Sequence, residues 1–336
     1  MTRCADTSDI KRMDHVSRPA PASAGCADVL IQNLHRYFST HSESRCLLWI
    51  NPVLQDPFDS SEVEEDRRVR FPVAHANFDA LLGPYLVTLD LARRRDSDLL
   101  ERSVEWAWAG WTLEQLQRMR GQSVCGWITC AVSANDLARH WAASCYLHRW
   151  NGLDTLLRFH DPGVREWLWP MLDAQQRHTL LGPAQSIWAI GRQHSLLVQE
   201  RSPEDLTAIA SAPSMMRLQL RADQWSGVSD FANVHAAWLQ LCSQDSLWAD
   251  RLAMQAGWPQ RTFHSLQHAS RYGLHDARCR TLFARHALEI GMDFHLAPLL
   301  APVWLKTAED VPYGRALEDV IHDRPDLLAG IFRKAL

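Results

Sequence analysis

Two histidines in the C-terminal part of the chain, His264 and His268, have the spacing of metal ligands on a helix. Residues four apart lie on the same helical face, so both imidazoles could bind one ion such as Zn²⁺. Zinc proteases of this kind carry a glutamate directly after the first histidine, whereas this chain has Ser265. The spacing supplies no third ligand, which favours a structural or surface role for the pair.

A second group of candidate reactive residues lies around residue 125. Cys125 and Cys130 are five apart on a predicted strand, so their thiols point to opposite faces and cannot readily share a metal. Residues 121–125 approach the nucleophile elbow of hydrolases, but they lack its second glycine and follow a predicted helix. Spacing brings no acid, base and nucleophile together, and the sequence has no glycine-rich phosphate loop. It therefore predicts no catalytic residue, no cofactor and no metal site.

Composition argues against several classes of protein. The 336 residues include 35 Lys and Arg against 39 Asp and Glu, a net charge of −4, and the pI is near 6.5. Domains that bind nucleic acid are usually strongly basic, so no nucleic-acid partner is expected. Residues 1–28 lack the apolar core of a secretory signal, and no apolar stretch is long enough to span a bilayer. A cytoplasmic protein without a membrane partner is expected.

The numbers of arginine, tryptophan and cysteine residues bear on the function of the protein. Of the 35 cations, 32 are arginines, which reflects either a GC-rich coding bias or an arginine-rich binding face. The 15 tryptophans could fill the core or anchor protein interfaces. The 8 cysteines, including Cys4 and Cys26, lack the dense spacing of a disulfide scaffold. They are predicted to be reduced thiols.

Residues 45–192 alternate between strand-like and helix-like segments, which predicts an α/β lobe with a mixed sheet and flanking helices. The predicted strands are residues 46–50, 85–89, 126–132, 154–160 and 184–190. Capping residues predict the starts of four helices, at Thr112, Ser133, Asp161 and Asp173. Residues 200–336 show helical periodicity without strand signals and are predicted to form an all-α lobe. Residues 1–44 are predicted to be a polar, partly disordered segment.

One part of the first lobe, from Gly126 to Pro183, carries a distinctive combination of residues. A strand is followed by a serine, a leucine and an Arg-His pair in a helix, then by an Arg-Phe-x-Asp-Pro strand end and a later Gly-Pro. The matching residues are Ser133, Leu137, Arg139, His140, Arg158, Phe159, Asp161, Pro162, Gly182 and Pro183. In order and spacing this segment resembles the core of the adaptor chaperones of type VI secretion.

The resemblance implies a non-enzymatic adaptor that binds a toxic effector and loads it onto the spike tip protein of the secretion apparatus. The expected partners are a cognate effector and the spike protein, with no cofactor. The motif residues are interpreted as mainly structural, because an aspartate before a proline begins a helix and Gly-Pro ends one. The sequence does not identify the residues that contact a partner.

Two alternatives from other classes remain open at this stage. The first is an enzyme with a helix-borne metal site at His264 and His268, for which the purified protein would contain stoichiometric metal. The second is a regulatory or nucleic-acid-binding module, for which retention on DNA would depend strongly on salt.

Overall fold

The computed structural model describes residues 24–40, 44–53, 55–73, 75, 78–79, 81–117, 122–148, 154–201, 217–255 and 257–323. The chain divides into two compact units, Met1–Gln224 and Trp225–Leu336. Strands occur in the described part of the first unit, and the described part of the second is helical. The predicted fold class, an α/β lobe followed by an all-α lobe, is confirmed. Residues 1–23 of the segment predicted to be polar, with Cys4, lie outside the described residues.

The N-terminal unit is built on a six-stranded sheet with helices on both faces. The strands of the unit are β1 (Arg45–Ile50), β2 (Val69–Arg70), β3 (Tyr85–Leu89), β4 (Val124–Cys130), β5 (Tyr146–His148), β6 (Asp154–Leu156), β7 (Ala184–Ile190) and β8 (Leu196–Glu200). The helices are α1 (Ala24–Thr40), α2 (Arg94–Ala109), α3 (Leu113–Gln117), α4 (Ala134–Cys145), α5 (Pro162–Leu168) and α6 (Ala174–Leu181). The strand order in the large sheet is β2-β3-β1-β4-β7-β8, and β5 pairs with β6 separately.

The two central strands, β1 and β4, are apolar because both of their faces are covered. All seven residues of β4 are buried, as are the last five of β1. Trp49 of β1 stacks on Trp141 of α4 at a centroid distance of 4.3 Å. Trp127 of β4 points to the other face, where its indole N–H donates to the hydroxyl of Ser103 on α2. This burial on both faces explains the continuous apolar runs in the sequence.

Strand direction differs from what the sequence suggests. The sequence predicts a mixed sheet, whereas all five strand pairs of the large sheet are antiparallel. Helices between strands usually connect parallel neighbours. Here the connection from β3 through α2 to β4 passes over β1, which pairs with both strands. β3 and β4 therefore run parallel to each other but are separated by β1, as in a split βαβ arrangement.

Several further elements differ from the sequence-based prediction. The predicted strand 154–160 ends at Leu156, where β6 ends. Alternating burial continues beyond it, since Leu157 and Phe159 are buried, but the backbone there forms turns instead of a ladder. The alternation of apolar residues typical of a strand therefore extends beyond the residues that pair as one. The helix α1 and the strands β2, β5 and β8 have no counterpart in the prediction.

The second unit packs its helices around an aromatic core. Its helices are α7 (Ala222–Gln244), which begins just before the division, α8 (Leu247–Ala253), α9 (Trp258–Ala269), α10 (Ala277–Ile290), α11 (Ala301–Ala308) and α12 (Tyr313–Asp323). The buried ring of Phe283 lies 4.9 Å from that of Phe294. A buried ion pair of 2.6 Å joins Arg280 on α10 to Asp230 on α7. Among the described helices, none is long and apolar enough to cross a membrane.

His286 should make the stability of this unit depend on pH. Its Nδ1 lies 2.8 Å from the hydroxyl of Tyr313, and burial lowers the pKa of His286 to about 4. In the unfolded chain the imidazole titrates near its usual pKa of about 6.5, so the unfolded state binds more protons between these values. Stability contributed by neutral His286 is therefore present above pH 6.5 and lost as the pH falls towards 4.

The test compares the urea midpoints of the parent and of His286→Gln at pH 7 and pH 5. Glutamine does not titrate in this range and can still bond to Tyr313, so we expect a smaller loss of stability on acidification in the variant. An equal loss in both proteins would show that His286 does not cause the pH dependence.

Candidate functional site

The motif segment begins at the start of α4, where Ser133 is the N-cap. Its hydroxyl accepts a hydrogen bond from the backbone N–H of Asp136. The carboxylate of Asp136 accepts from the same hydroxyl at 2.6 Å and pairs with Arg139 at 2.6 Å. Both charged side chains are exposed. Ser133 is thus structural, and Arg139 is one of the motif residues that reaches solvent.

His140 and Trp141 attach α4 to the end of α6. His140 Nε2 lies 2.8 Å from the carbonyl oxygen of Thr179, and the Trp141 indole N–H donates to the carbonyl of Leu180 at 2.8 Å. Two carbonyls of the last turn of α6 therefore have side-chain partners, which helix ends require. Gly182 ends this helix with a φ of 57° and lies directly against the His140 ring. The Arg-His and Gly-Pro parts of the motif are thus in contact.

Phe159 belongs to an aromatic cluster beneath the same segment. Its buried ring lies 5.6 Å from Trp49 and 5.9 Å from Trp141. The guanidinium of Arg165, from the first turns of α5, lies over the Trp49 ring at 4.9 Å. A cation–π contact of this kind stabilises a cation more strongly when the cation is buried away from water. The cluster joins β1, α4 and α5 in one core.

Arg165 is the most deeply buried cation in this core. It is 1% exposed and donates to the carbonyls of Cys125, Phe159 and His160 and to the side-chain oxygen of Gln199. Burial lowers the pKa of Arg165 to about 10, which leaves it charged at neutral pH. The sequence alone does not predict this role for Arg165. Its place one turn after the capping aspartate was the available signal.

Asp161 and Pro162 begin α5 as the sequence predicts. The Asp161 carboxylate accepts from the backbone N–H groups of Gly163 and Val164, and Pro162 occupies the first turn. The same carboxylate lies 3.4 Å from Arg158, which is 50% exposed. An exposed ion pair of this length contributes little. Capping is therefore the main role of Asp161.

Replacing Asp161 tests this assignment. Alanine at an N-cap costs about 0.5–2 kcal/mol, whereas asparagine caps about as well as aspartate. We expect Asp161→Ala to lower the melting temperature of the N-terminal unit and Asp161→Asn to leave it nearly unchanged. Thermal unfolding followed by circular dichroism measures both. An asparagine variant as unstable as the alanine variant would show that the negative charge, and hence the pair with Arg158, matters more than capping.

Pro183 follows Gly182 and leads into β7. Its carbonyl oxygen lies 3.6 Å from the sulfur of Cys130, at the end of the neighbouring strand β4. Arg201, just after β8, donates to the carbonyl oxygen of Gly182. The Gly-Pro pair thus sets the path from α6 into the sheet. Of the ten motif residues, Arg139 and Arg158 are the ones with exposed side chains.

The two candidate metal ligands are not brought to a common centre. His264 is exposed, and the ring of His268 stacks on that of His295 at 4.8 Å. Within the described parts of the chain, no group of three or more His, Cys, Asp or Glu side chains could hold a metal ion. The positions of these histidines therefore give no support to a zinc-type site.

The cysteines of the described residues are buried free thiols. They are Cys46, Cys125, Cys130, Cys145, Cys242 and Cys279. The prediction of reduced thiols is confirmed for these six, while Cys4 and the side chain of Cys26 lie outside the description. Burial raises the pKa of Cys125 well above its usual range and that of Cys145 to about 12. Since the thiolate is the nucleophile, these side chains are not activated for chemistry.

With this geometry established, the chain can be compared with known protein families. Residues 65–179 match DUF4123, a domain of unknown function. DUF4123 is associated with the effector adaptors of type VI secretion. The match covers about a third of the chain and includes the motif from Ser133 to Pro162. No curated protein and no solved structure matches the chain.

The structural unit is larger than the DUF4123 match. The matched residues contain β2, β3 and β4, but β1, which lies between β3 and β4, precedes them. Gly182, Pro183 and β7 follow the last matched residue. The matched segment therefore depends on strands on both sides of it in the sequence to complete the sheet.

Proposed function

We propose that this protein is a non-enzymatic adaptor chaperone that binds a type VI secretion effector and loads it onto the spike tip protein. The observation that carries the proposal is the DUF4123 match over residues 65–179, together with the motif residues within and just after it. DUF4123 is associated with adaptors of this kind. The proposed partners are two proteins, the effector and the spike, and the proposed location is the cytoplasm.

The chemistry of the described residues supports a protein that acts through interfaces. The motif residues cap helices and join α4 to α6, so they maintain a scaffold. The thiols of the core are held protonated by burial. Large apolar side chains are exposed in both units, among them Leu81 and Met254. Stable interfaces bury about 1,200–2,000 Å², and their central part is more apolar than their rim.

Co-expression tests the proposal. The cognate effector is produced alone, with this chain, and with an unrelated cytoplasmic protein in its place. We expect this chain, but not the unrelated protein, to raise the soluble yield of the effector severalfold. We also expect it to co-purify with the effector and with the spike protein. A chaperone that binds a folding intermediate has this effect because it covers apolar surface that otherwise aggregates.

Two results would contradict the proposal. The first is an unchanged effector yield together with no co-purification while this chain itself is folded. The second is catalytic conversion of a substrate by the purified chain, with many turnovers per protein molecule, which would make it an enzyme.

A further inference from the structure

A groove of about 650 Å³ lies in the second unit, where α8, α9 and the end of α10 meet. It is lined by Trp248, Arg251, Met254, Gln255, Arg261, Ala287, Leu288, Glu289, Ile290, Gly291 and Met292. Pockets of 300–1,000 Å³ hold a ligand of a few side chains. The groove is thus the size of a short segment of another protein, not of a whole domain.

The apolar part of the groove consists of side chains that adapt to a partner. Met254 is 76% exposed, a large fraction for an apolar residue in a folded unit. Trp248, Ile290 and Met292 are half-buried beside it. Methionine is flexible and polarisable, and tryptophan is enriched at binding hot spots. These four residues, here called the apolar anchor, can therefore receive apolar side chains.

Two arginines in the groove lack a carboxylate partner among the described residues. Arg251 lies over the ring of Trp248 at 5.3 Å, and Arg261 donates to the side-chain oxygen of Gln255 at 3.3 Å. Both partners are neutral, and both arginines are exposed. Most other cations on this unit are paired, for example Arg280 with Asp230 and Lys306 with Asp319. The positive charge of the groove is therefore left for a ligand.

The negative groups of the groove do not cancel this charge. Glu289 is the one carboxylate in the lining, and it lies 3.6 Å from Arg285 on the same helix. The last turn of α10 also belongs to the lining, but the backbone carbonyl of Ala287 there already accepts from the N–H of Gly291. The groove thus combines apolar contacts with two full positive charges.

We propose that this groove binds a short amphipathic segment of a partner protein that carries aspartate or glutamate beside large apolar residues. The apolar side chains lie on the apolar anchor, and the carboxylates pair with Arg251 and Arg261. Arginine suits this role because its guanidinium binds a carboxylate through two parallel hydrogen bonds. The inference rests on the proposed adaptor function, in which the segment belongs to the effector.

Peptide selection tests the groove without knowledge of the partner. Random 12-residue peptides displayed on phage are selected on the full-length chain, and enriched peptides are synthesised for affinity measurement. We expect them to combine large apolar residues with aspartate or glutamate. Met254→Asp should weaken their binding about tenfold or more, because it places a charge in the apolar anchor.

The matched control is Leu305→Asp. Leu305 is 69% exposed on α11 and is not part of the groove lining, so this variant adds the same charge to an equally exposed apolar position. We expect it to bind the peptides as the parent does. Circular dichroism should show that both variants are folded, since neither residue is buried.

A charge swap tests the two arginines. The double variant Arg251→Glu with Arg261→Glu should lose the acidic peptides and bind versions in which lysine replaces each acidic residue. The proposal is overturned if no peptide is enriched, if enriched peptides bind the Met254→Asp variant as tightly as the parent, or if the charge swap changes nothing. Peptide binding without effector co-purification would refute the adaptor function alone, and the reverse pattern would refute the groove alone.

Discussion

Replacing Arg165 by alanine is expected to lower the free energy of unfolding of the N-terminal unit by about 3–5 kcal/mol. The side chain is 1% exposed, and its guanidinium donates to three carbonyls and to Gln199. Its removal leaves these buried acceptors unpaired and opens a cavity beside Trp49. Each unsatisfied buried acceptor costs about 1–3 kcal/mol, and the surrounding sheet can relax only partly.

Arg165→Lys should have a smaller but clear effect. Lysine keeps the charge, but its ammonium has three donors at one point and cannot reproduce the flat fork that reaches acceptors from β4 and β8. It also lacks the planar group that lies over Trp49. We therefore expect a stability between those of the parent and Arg165→Ala.

Arg158→Ala is the matched control for both variants. Arg158 lies in the same segment, but its side chain is half exposed and its ion pair with Asp161 is 3.4 Å long. The change should stay within about 0.5 kcal/mol of the parent, as for most surface substitutions. Urea unfolding measures the three variants, and hydrogen exchange of β4 assigns the transition to the N-terminal unit. Equal stabilities of Arg165→Ala and Arg158→Ala would refute the structural role of Arg165.

Gly182→Ala is expected to destabilise the same unit by about 2–4 kcal/mol. Two effects add at this position. The backbone has φ of 57° and ψ of −128°, a combination that side chains other than glycine rarely adopt. A Cβ atom would also clash with Nε2 of His140, so the imidazole that bonds to Thr179 would have to move.

Two variants separate these effects. Gly291 ends α10 with a φ of 136°, and a Cβ there would meet no atom within 4 Å. Gly291→Ala therefore incurs the backbone cost alone, and we expect it to destabilise its own unit less. The double variant Gly182→Ala with His140→Ala should destabilise less than the sum of the two single changes, since the second removes the clash. Strictly additive effects would show that His140 is not the obstacle.

Much of the secondary structure can be predicted from the sequence because it is determined locally. Runs of apolar residues bounded by turn residues predict the strands Tyr85–Leu89 and Ala184–Ile190 with the observed limits. Capping residues predict the helix starts at Ser133, Asp161 and Asp173, since a cap needs contacts only within one turn. The all-helical character of the second unit follows from periodicity in the same way.

The arrangement of these elements depends on distant residues and was not predictable. No local signal places β1 between β3 and β4, because strand pairing depends on contacts between distant residues. The contact of His140 with Gly182 joins two motifs about 40 residues apart. The groove is lined by side chains from α8, from the start of α9 and from residues 287–292, and the sequence names none of these as a candidate functional residue. The positive charge of the groove can be identified only from the structure, which shows which arginines lie beside a carboxylate and which do not.

The position of β1 also affects how the chain is made. β1 leaves the ribosome before the other sheet strands, but its two partners begin only at Tyr85 and Val124. At about 5–20 residues per second, the 80 residues between Ile50 and the end of β4 take roughly 4–16 s to synthesise. Both edges of this apolar strand lack a partner until β3 has been made, and one edge lacks it until β4 is complete. Unpaired apolar strands are prone to aggregation, so we expect the nascent chain to need protection by general chaperones during that time.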